Sequence, residues 1–308
     1  MFKEKAPTYF GWVGWRLRMP EEWRPLRIEG DWRRGSAMLG DGARAILLVK
    51  WWRPGERDRF QWGRWIQARL KAVGNPKTDA GAAPSSPDFD KVSWAPPKDG
   101  LRAFWYGWSA KAGLVIEATL NAAVDPKHNR LVETRILPSL RVDDQAGPIR
   151  WAFYSASFVS PPGFRLIRRK LQLGEAVLWL EHKDGSRLLL RQNYPARLAL
   201  ERRPLEKWLI MDCFKESRRY RATADARPWE LRTGRARFQG WRESGVKKLP
   251  APLGFIKPFK TITAIVRDTE FERLLMAQYD SLGEPREEIF QGALEGMNWA
   301  LREEEGGD

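Results

Sequence analysis

Two hydrophobic patterns divide the chain. Short runs with a period of two, such as LGDGARAILLV (Leu39–Val49) and EHKDGSRLLLR (Glu181–Arg191), carry Asp-Gly between alternating apolar arms. Alternation places every second side chain on one face of a strand, and Asp-Gly signals a two-residue hairpin turn. GLVIEATL and TITAIVR read as further strands. Helical spacing appears in three stretches: Trp62, Trp65, Ile66, Leu70 and Val73; Leu205, Trp208 and Leu209 after Pro204; and Phe290, Leu294, Met297 and Leu301, with Ile289 and Ala293 beside them. Each predicts an amphipathic helix, and Pro204 suits a first helical turn. Antiparallel hairpins with few helices predict an α+β fold.

The patterns recur in order. MPEEWRPLR (Met19–Arg27) matches SPPGFRLIR (Ser160–Arg168), and the two Asp-Gly hairpins match each other. RAFWYGW (Arg102–Trp108) matches RARFQGW (Arg235–Trp241), and RILPSL (Arg135–Leu140) matches AQYDSL (Ala277–Leu282). Four landmarks in one order predict two tandem copies of one antiparallel sheet packed with helices. The expected units are residues 1–141 and 142–283, followed by an acidic C-terminal helix and tail, 284–308. Each copy reads as an opening strand, a Pro-X-X-aromatic turn, a hairpin, a helix, the heptad strand, a further strand and a short helix ending at Ser-Leu. In the heptad strand Phe104, Tyr106 and Trp108 share a face, read as core-facing rather than as a base-stacking platform. The copies differ by a flexible loop, Gly74–Asp90, in the first and an inserted loop, Glu243–Lys260, in the second.

This order, with RMPEEW and SPPGF at the openings and ILPSL and YDSL at the ends, resembles the PsbP-like and DcrB-like superfamily. The resemblance covers Tyr9–Leu140 and Trp151–Leu282. It implies a non-catalytic accessory module that works through protein or ligand contacts. Many members are exported or lipid-anchored, whereas MFKEKAPTYFGW has no apolar leader and no lipid-attachment cysteine.

Composition changes the picture in three ways. The 17 tryptophans among 308 residues demand broad cores or a partner. The lone cysteine, Cys213, forbids an internal disulfide and fits a soluble protein of a reducing, cytoplasmic setting. The net charge of +15 is uneven: residues 148–283 carry 27 basic and 14 acidic side chains, while residues 284–308 carry 2 and 8.

The basic residues of the second copy gather in two places. Arg218, Arg219 and Arg221 surround Tyr220 at a helix end, and Lys247, Lys248, Lys257 and Lys260 flank Phe255 and Phe259 in the inserted loop. Cations interleaved with aromatics can follow a phosphate backbone and stack bases, so nucleic acid is the second functional reading. An unknown protein partner is the first, and an enzyme with a site between the copies is the third. No catalytic motif, metal-ligand spacing or cofactor fingerprint is present. His128 and His182 lack companions and read as surface residues. Asp143 and Asp144 read as solvated linker acids. The tail helix is expected to cap its own domain, with an acidic mimic folded on the basic loop as the alternative.

Overall fold

The computed structural model describes residues 8–55, 60–74, 83–98, 102–121, 126–144, 146–154, 156–172, 174–202, 204–212, 220–223, 225–233, 236–247 and 258–300. The fold is α+β, and every strand pairing described is antiparallel. Two compact units divide the chain: residues 1–157 with 298–308, and residues 158–297.

Unit 1 opens with a hairpin rather than the single strand expected. β1 (Thr8–Trp12) and β2 (Trp15–Met19) are joined by Val13 and Gly14, both at positive φ. Two positive φ values give the turn whose twist suits a hairpin. Val-Gly lacks the Asn or Asp that usually announces it. β3 (Arg24–Gly30), β4 (Arg34–Gly40) and β5 (Ala45–Trp52) follow, then α1 (Trp62–Ala72), β6 (Lys91–Lys98), β7 (Arg102–Ser109) and β8 (Leu114–Asn121). These six strands form one sheet in the order β3-β4-β5-β8-β7-β6. α1 lays Ile66 and Leu70 on Ala95 and Tyr106, with Trp62, Trp65, Val73 and Phe104 around them. This is the helix that the spacing predicts, and it covers the aromatic face of the heptad strand. α2 (Pro126–Leu131), a π turn (Val132–Ile136) and a 3-10 turn (Leu137–Ser139) lead to β9 (Arg141–Val142).

β10 (Ile149–Phe153) pairs with β1, placing Ala152 opposite Gly11, and β11 (Ala156–Ser160) carries the chain past Ser157. The sheet β11-β10-β1-β2-β9 is therefore separate from the larger one. Three sheets stand where two were expected, because the opening segments are hairpins that join each other instead of extending the larger sheets. Within unit 1 one face of this third sheet packs Phe10, Trp12, Trp15, Trp151 and Phe153, all buried. Trp12 meets Trp151 and Phe153 edge-on at 5.3 and 5.5 Å.

Unit 2 contains β12 (Arg165–Gln172), β13 (Glu175–Glu181), β14 (Arg187–Asn193), α3 (Ala196–Arg202), α4 (Leu205–Asp212), β15 (Tyr220–Ala222) and β16 (Arg227–Thr233). β17 (Ala236–Lys247), β18 (Phe259–Asp268), β19 (Arg273–Ser281) and α5 (Glu287–Glu295) complete it. The sheet order is β12-β13-β14-β19-β18-β17-β15, with β16 on β17. α4 sets Leu209 on Ile265 and Met276, as its spacing predicts. α5 buries Phe290, Ala293 and Leu294, and Arg242 grips Glu287 through two 2.6 Å bonds. Leu301 and the acidic tail beyond it lie outside the described residues.

Several expectations about matched segments change. The described residues of the two heptads fall on β7 and β17, which hold different places counted from the Asp-Gly hairpin: β7 adjoins β8, the strand beside hairpin arm β5, whereas β17 is separated by β18 from β19, the strand beside hairpin arm β14. YDS, Tyr279–Ser281, ends strand β19 rather than a helix, with Leu282 just beyond it. Both ends of the expected inserted loop are strand, since Glu243–Lys247 belong to β17 and Phe259–Lys260 to β18. The Asp-Gly hairpins form, but with longer loops: Gly40 pairs with Ala45, and Glu181 with Arg187.

Both heptad glycines have a steric reason. A Cβ on Gly107 would come within 2.3 Å of the Trp105 ring, and one on Gly240 within 2.0 Å of the Ile265 carbonyl oxygen. Gly240→Ala is expected to destabilise the protein by about 1–3 kcal/mol through overpacking against backbone, read by urea unfolding. An unchanged midpoint would show that β17 and β18 can separate freely there.

Candidate functional site

Arg218, Arg219, Lys248, Lys257 and Phe255 lie outside the described residues, as does Cys213. The sheet of unit 2 gathers the rest at one end. Tyr220 pairs with Lys247, which pairs with Phe259; Arg221 pairs with Val246, which pairs with Lys260. Alternation then places Lys247 and Phe259 on one face and Arg221 and Lys260 on the other. The side chain of Tyr220 is outside the described residues. Phe259 is buried, with the Arg187 guanidinium 5.7 Å from its ring centre, so it offers no open stacking surface. Lys247 reaches Asp280 Oδ2 at 3.4 Å, and Lys260 pairs with Glu284. Arg221 is exposed.

The face that carries Lys247 holds a polar row that sequence reading passed over. Register sets Glu243 opposite Thr263, Thr263 opposite Gln278, and Thr261 opposite Asp280. All five are buried. The Gln278 amide donates to Asp280 Oδ1 at 2.8 Å. Gln278 Oε1, Thr261 Oγ1 and Thr263 Oγ1 are buried without a partner among the described residues. Such atoms are scarce in native proteins, and each costs about 1–3 kcal/mol when left dry. The signal was present in TIT and QYD, two strand segments with polar residues at alternate positions. Alternation alone cannot separate a solvated face from a buried polar one.

A cavity of about 260 Å³ opens on this row. Gln278 and Asp280 line it with Lys247 and Arg187, and Trp179, Ile167, Arg168 and leucines of β13 and β14 complete the wall. Arg168 lies 4.8 Å from the Trp179 ring centre. Ile167 is among the exposed large apolar residues. The cavity thus combines a buried amide oxygen, a buried carboxylate held by Gln278 and Lys247, cationic groups and an aromatic wall. That inventory can hold a small molecule with an acidic group, a hydrogen-bond donor and an apolar part.

The histidines are not free surface residues. His182 packs 5.3 Å from Phe164 and pairs with Asp184 at 2.9 Å; His128 lies 6.1 Å from Trp23. Desolvation pushes the Asp184 carboxyl up, but the Ser186 hydrogen bonds and His182 outweigh it, bringing it down to about 2. Its contribution to stability is therefore complete above the ordinary carboxylate range and disappears as pH falls through about 2. The stability gap between wild type and Asp184→Asn, under about 1 kcal/mol at so exposed a site, is expected to close between pH 4 and 2 in chemical denaturation. A constant gap would assign it to shape.

Asp143 also departs from the solvated linker acid expected: it is buried and holds Arg16 and Arg150, while Asp144 is exposed. Among the described residues no group of three or more His, Cys, Asp or Glu is placed to hold a metal. No helix among them is long and apolar enough to cross a membrane. Compared with known proteins, the chain matches no family model and no curated sequence.

Proposed function

We propose that the protein is a non-catalytic binding or accessory protein, and that the cavity of unit 2 takes a small carboxylate bearing a hydrogen-bond donor. The carrying observation is Gln278 Oε1, buried at the cavity without a partner among the described residues, beside the buried Asp280. The donor would satisfy that oxygen, Arg168 and the Arg187 N–H groups beyond the Nε that donates to Glu181 would face the carboxylate, and Trp179 would cover the apolar part. Asp280 is tied to Lys247 and Gln278 rather than set against a nucleophile, which suits binding better than acid–base work. Lys247 and Lys260 already face carboxylates, so nucleic acid ranks behind a small ligand.

The test is a thermal-shift titration with L-amino acids and short hydroxy acids. A rise in midpoint is expected with at least one, and Gln278→Leu or Trp179→Ala should weaken that binding about tenfold or more. No rise across the panel, or a rise that survives both substitutions, would sink the reading. Thr263→Val, which removes a buried hydroxyl without changing shape, is expected to stabilise the ligand-free protein by about 1 kcal/mol. A loss of stability would mean that the hydroxyl is already satisfied.

We further infer that the two halves descend from one duplicated unit of the PsbP-like and DcrB-like kind. What supports this is a match at constant offset. β3-β4-β5-β8-β7-β6 and β12-β13-β14-β19-β18-β17 run in the same order. The edge hairpins break register between Pro25 and Arg27 and between Leu166 and Arg168, 141 positions apart in each case. The chain turns back at Pro20–Trp23 and at Pro161–Phe164, again 141 apart. In this alignment β7 corresponds to β18, so the extra length of the second copy precedes β18. A cytoplasmic setting rests on the single cysteine alone.

A further inference from the structure

Unit 1 holds a second cavity, of about 230 Å³, lined by Tyr9, Arg16, Arg18, Ser139 and Arg141. Strand register builds it. Tyr9 stands opposite Arg18, and Arg16 opposite Arg141, with Arg16 and Arg18 two positions apart on β2. All four therefore project from one face of the third sheet, opposite its tryptophans. Directly opposed like charges destabilise a sheet, yet here three guanidinium groups meet.

Their partners orient them more than they neutralise them. Asp143 answers Arg16 and is shared with Arg150. Arg18 donates through Nε to the Tyr9 hydroxyl at 2.8 Å. Arg141 donates through Nη1 to the carbonyl oxygens of Pro138 and Leu140, both at 2.8 Å. Among the described residues neither Arg18 nor Arg141 has a carboxylate partner. Each guanidinium has five N–H donors in a planar fork, so both keep donors beyond those used. The Ser139 hydroxyl, which accepts from the Arg18 backbone N–H at 2.8 Å, is also part of the lining.

Fixed guanidinium groups with uncompensated charge and unused donors are the groups that recognise tetrahedral oxyanions. We propose that this cavity is an oxyanion site for a phosphate dianion, either free or as the terminal group of a small molecule. Two uncompensated positive charges favour a dianion over a carboxylate or a phosphodiester, each of which brings one charge. The site lies wholly within unit 1 and does not depend on the reading of the unit 2 cavity.

The experiment is isothermal titration calorimetry at constant ionic strength with four probes: inorganic phosphate, phenyl phosphate, dimethyl phosphate and acetate. Phosphate and phenyl phosphate are expected to bind, with dimethyl phosphate and acetate weaker by about tenfold or more. Tighter binding of phenyl phosphate would mark a phosphorylated molecule as the natural ligand; equal binding would mark free phosphate. Arg18→Gln and Arg141→Gln should each weaken phosphate about tenfold or more. Arg27→Gln, at an exposed arginine paired with Glu29 in the same unit, makes the same charge change and should leave binding unaltered. If Arg141→Gln fails to fold, because its carbonyl contacts secure the turn before β9, the exposed Arg18 carries the test alone. Absence of phosphate binding, equal binding of the diester, or equal losses in Arg18→Gln and Arg27→Gln would overturn the proposal.

Discussion

Asp143→Ala is expected to lower stability by about 3–5 kcal/mol, while Asp144→Ala, one residue along, should change it by no more than about 1 kcal/mol. The contrast follows from what each carboxylate faces. Asp143 is 1% exposed at its side chain and takes charge-assisted contacts from Arg16 and Arg150. Its Oδ2 also accepts from the Arg150 backbone N–H at 2.9 Å, and its own N–H donates to the Gly14 carbonyl at 2.9 Å. Removing the carboxylate leaves two guanidinium groups and a backbone N–H facing an empty space. It also strips the counter-charge that Arg16 and Arg150 share on the third sheet, so repulsion adds to desolvation. Asp144 meets Lys111 at 3.8 Å with half its side chain in water, and solvent replaces that contact at little cost. Thermal unfolding should separate the two by about 10 °C, taking about 2–4 °C per kcal/mol for a unit of this size. Equal midpoints would mean that Asp143 is as replaceable as its neighbour. Adjacent identical residues give the comparison its force, because composition and net charge are the same in both variants and the sites lie one position apart.

That pair also shows where sequence reading stops. DD in VDDQAGP has the composition of a solvated linker, and nothing local distinguishes the two acids. The difference comes from Arg16, 127 positions away. Elements set by their own residues were legible. α1 and α4 appear where apolar side chains recur at helical spacing, and the Pro-X-X-aromatic turns close because Trp23 and Phe164 donate back to Pro20 and Pro161. The heptads misled for a physical reason. A strand crossed closely by a ring or by neighbouring backbone needs glycine at that point and aromatics around it. Gly107 makes room for Trp105, and Gly240 for the Ile265 carbonyl, so two strands in different places converge on similar residues. The basic stretch was legible as charge, but pairing with Asp280 and Glu284 was not, since those carboxylates arrive from β19 and the segment after it. The polar residues at the unit 2 cavity were hidden in plain alternation. Only the register of β17, β18 and β19 shows that Glu243, Thr263 and Gln278 share a row.

The tryptophan excess has its own test in the third sheet. Trp15 is fully buried, with its ring 5.3 Å from Phe10 and 5.8 Å from Trp51. Trp15→Ala should cost about 3–5 kcal/mol, the sum of lost apolar burial and a cavity that rigid aromatic neighbours cannot close. Trp15→Phe should cost far less, within about 1.5 kcal/mol. Phenylalanine keeps a ring in the space that alanine empties, and both substitutions remove Trp15 Nε1, which is buried and finds no acceptor among the described residues. A buried donor without a partner costs about 1–3 kcal/mol, and phenylalanine removes that penalty together with part of the packing. Both variants delete the indole N–H and so share its relief; the difference between the two losses, measured by urea unfolding, therefore isolates the packing supplied by the six-membered ring that phenylalanine keeps. A Trp15→Phe loss close to that of Trp15→Ala would show that a single ring cannot hold the packing there. The expected inequality would instead explain the aromatic face of this sheet as filling of volume: tryptophan is used there for the area it buries, even where its polar atom finds nothing to bind.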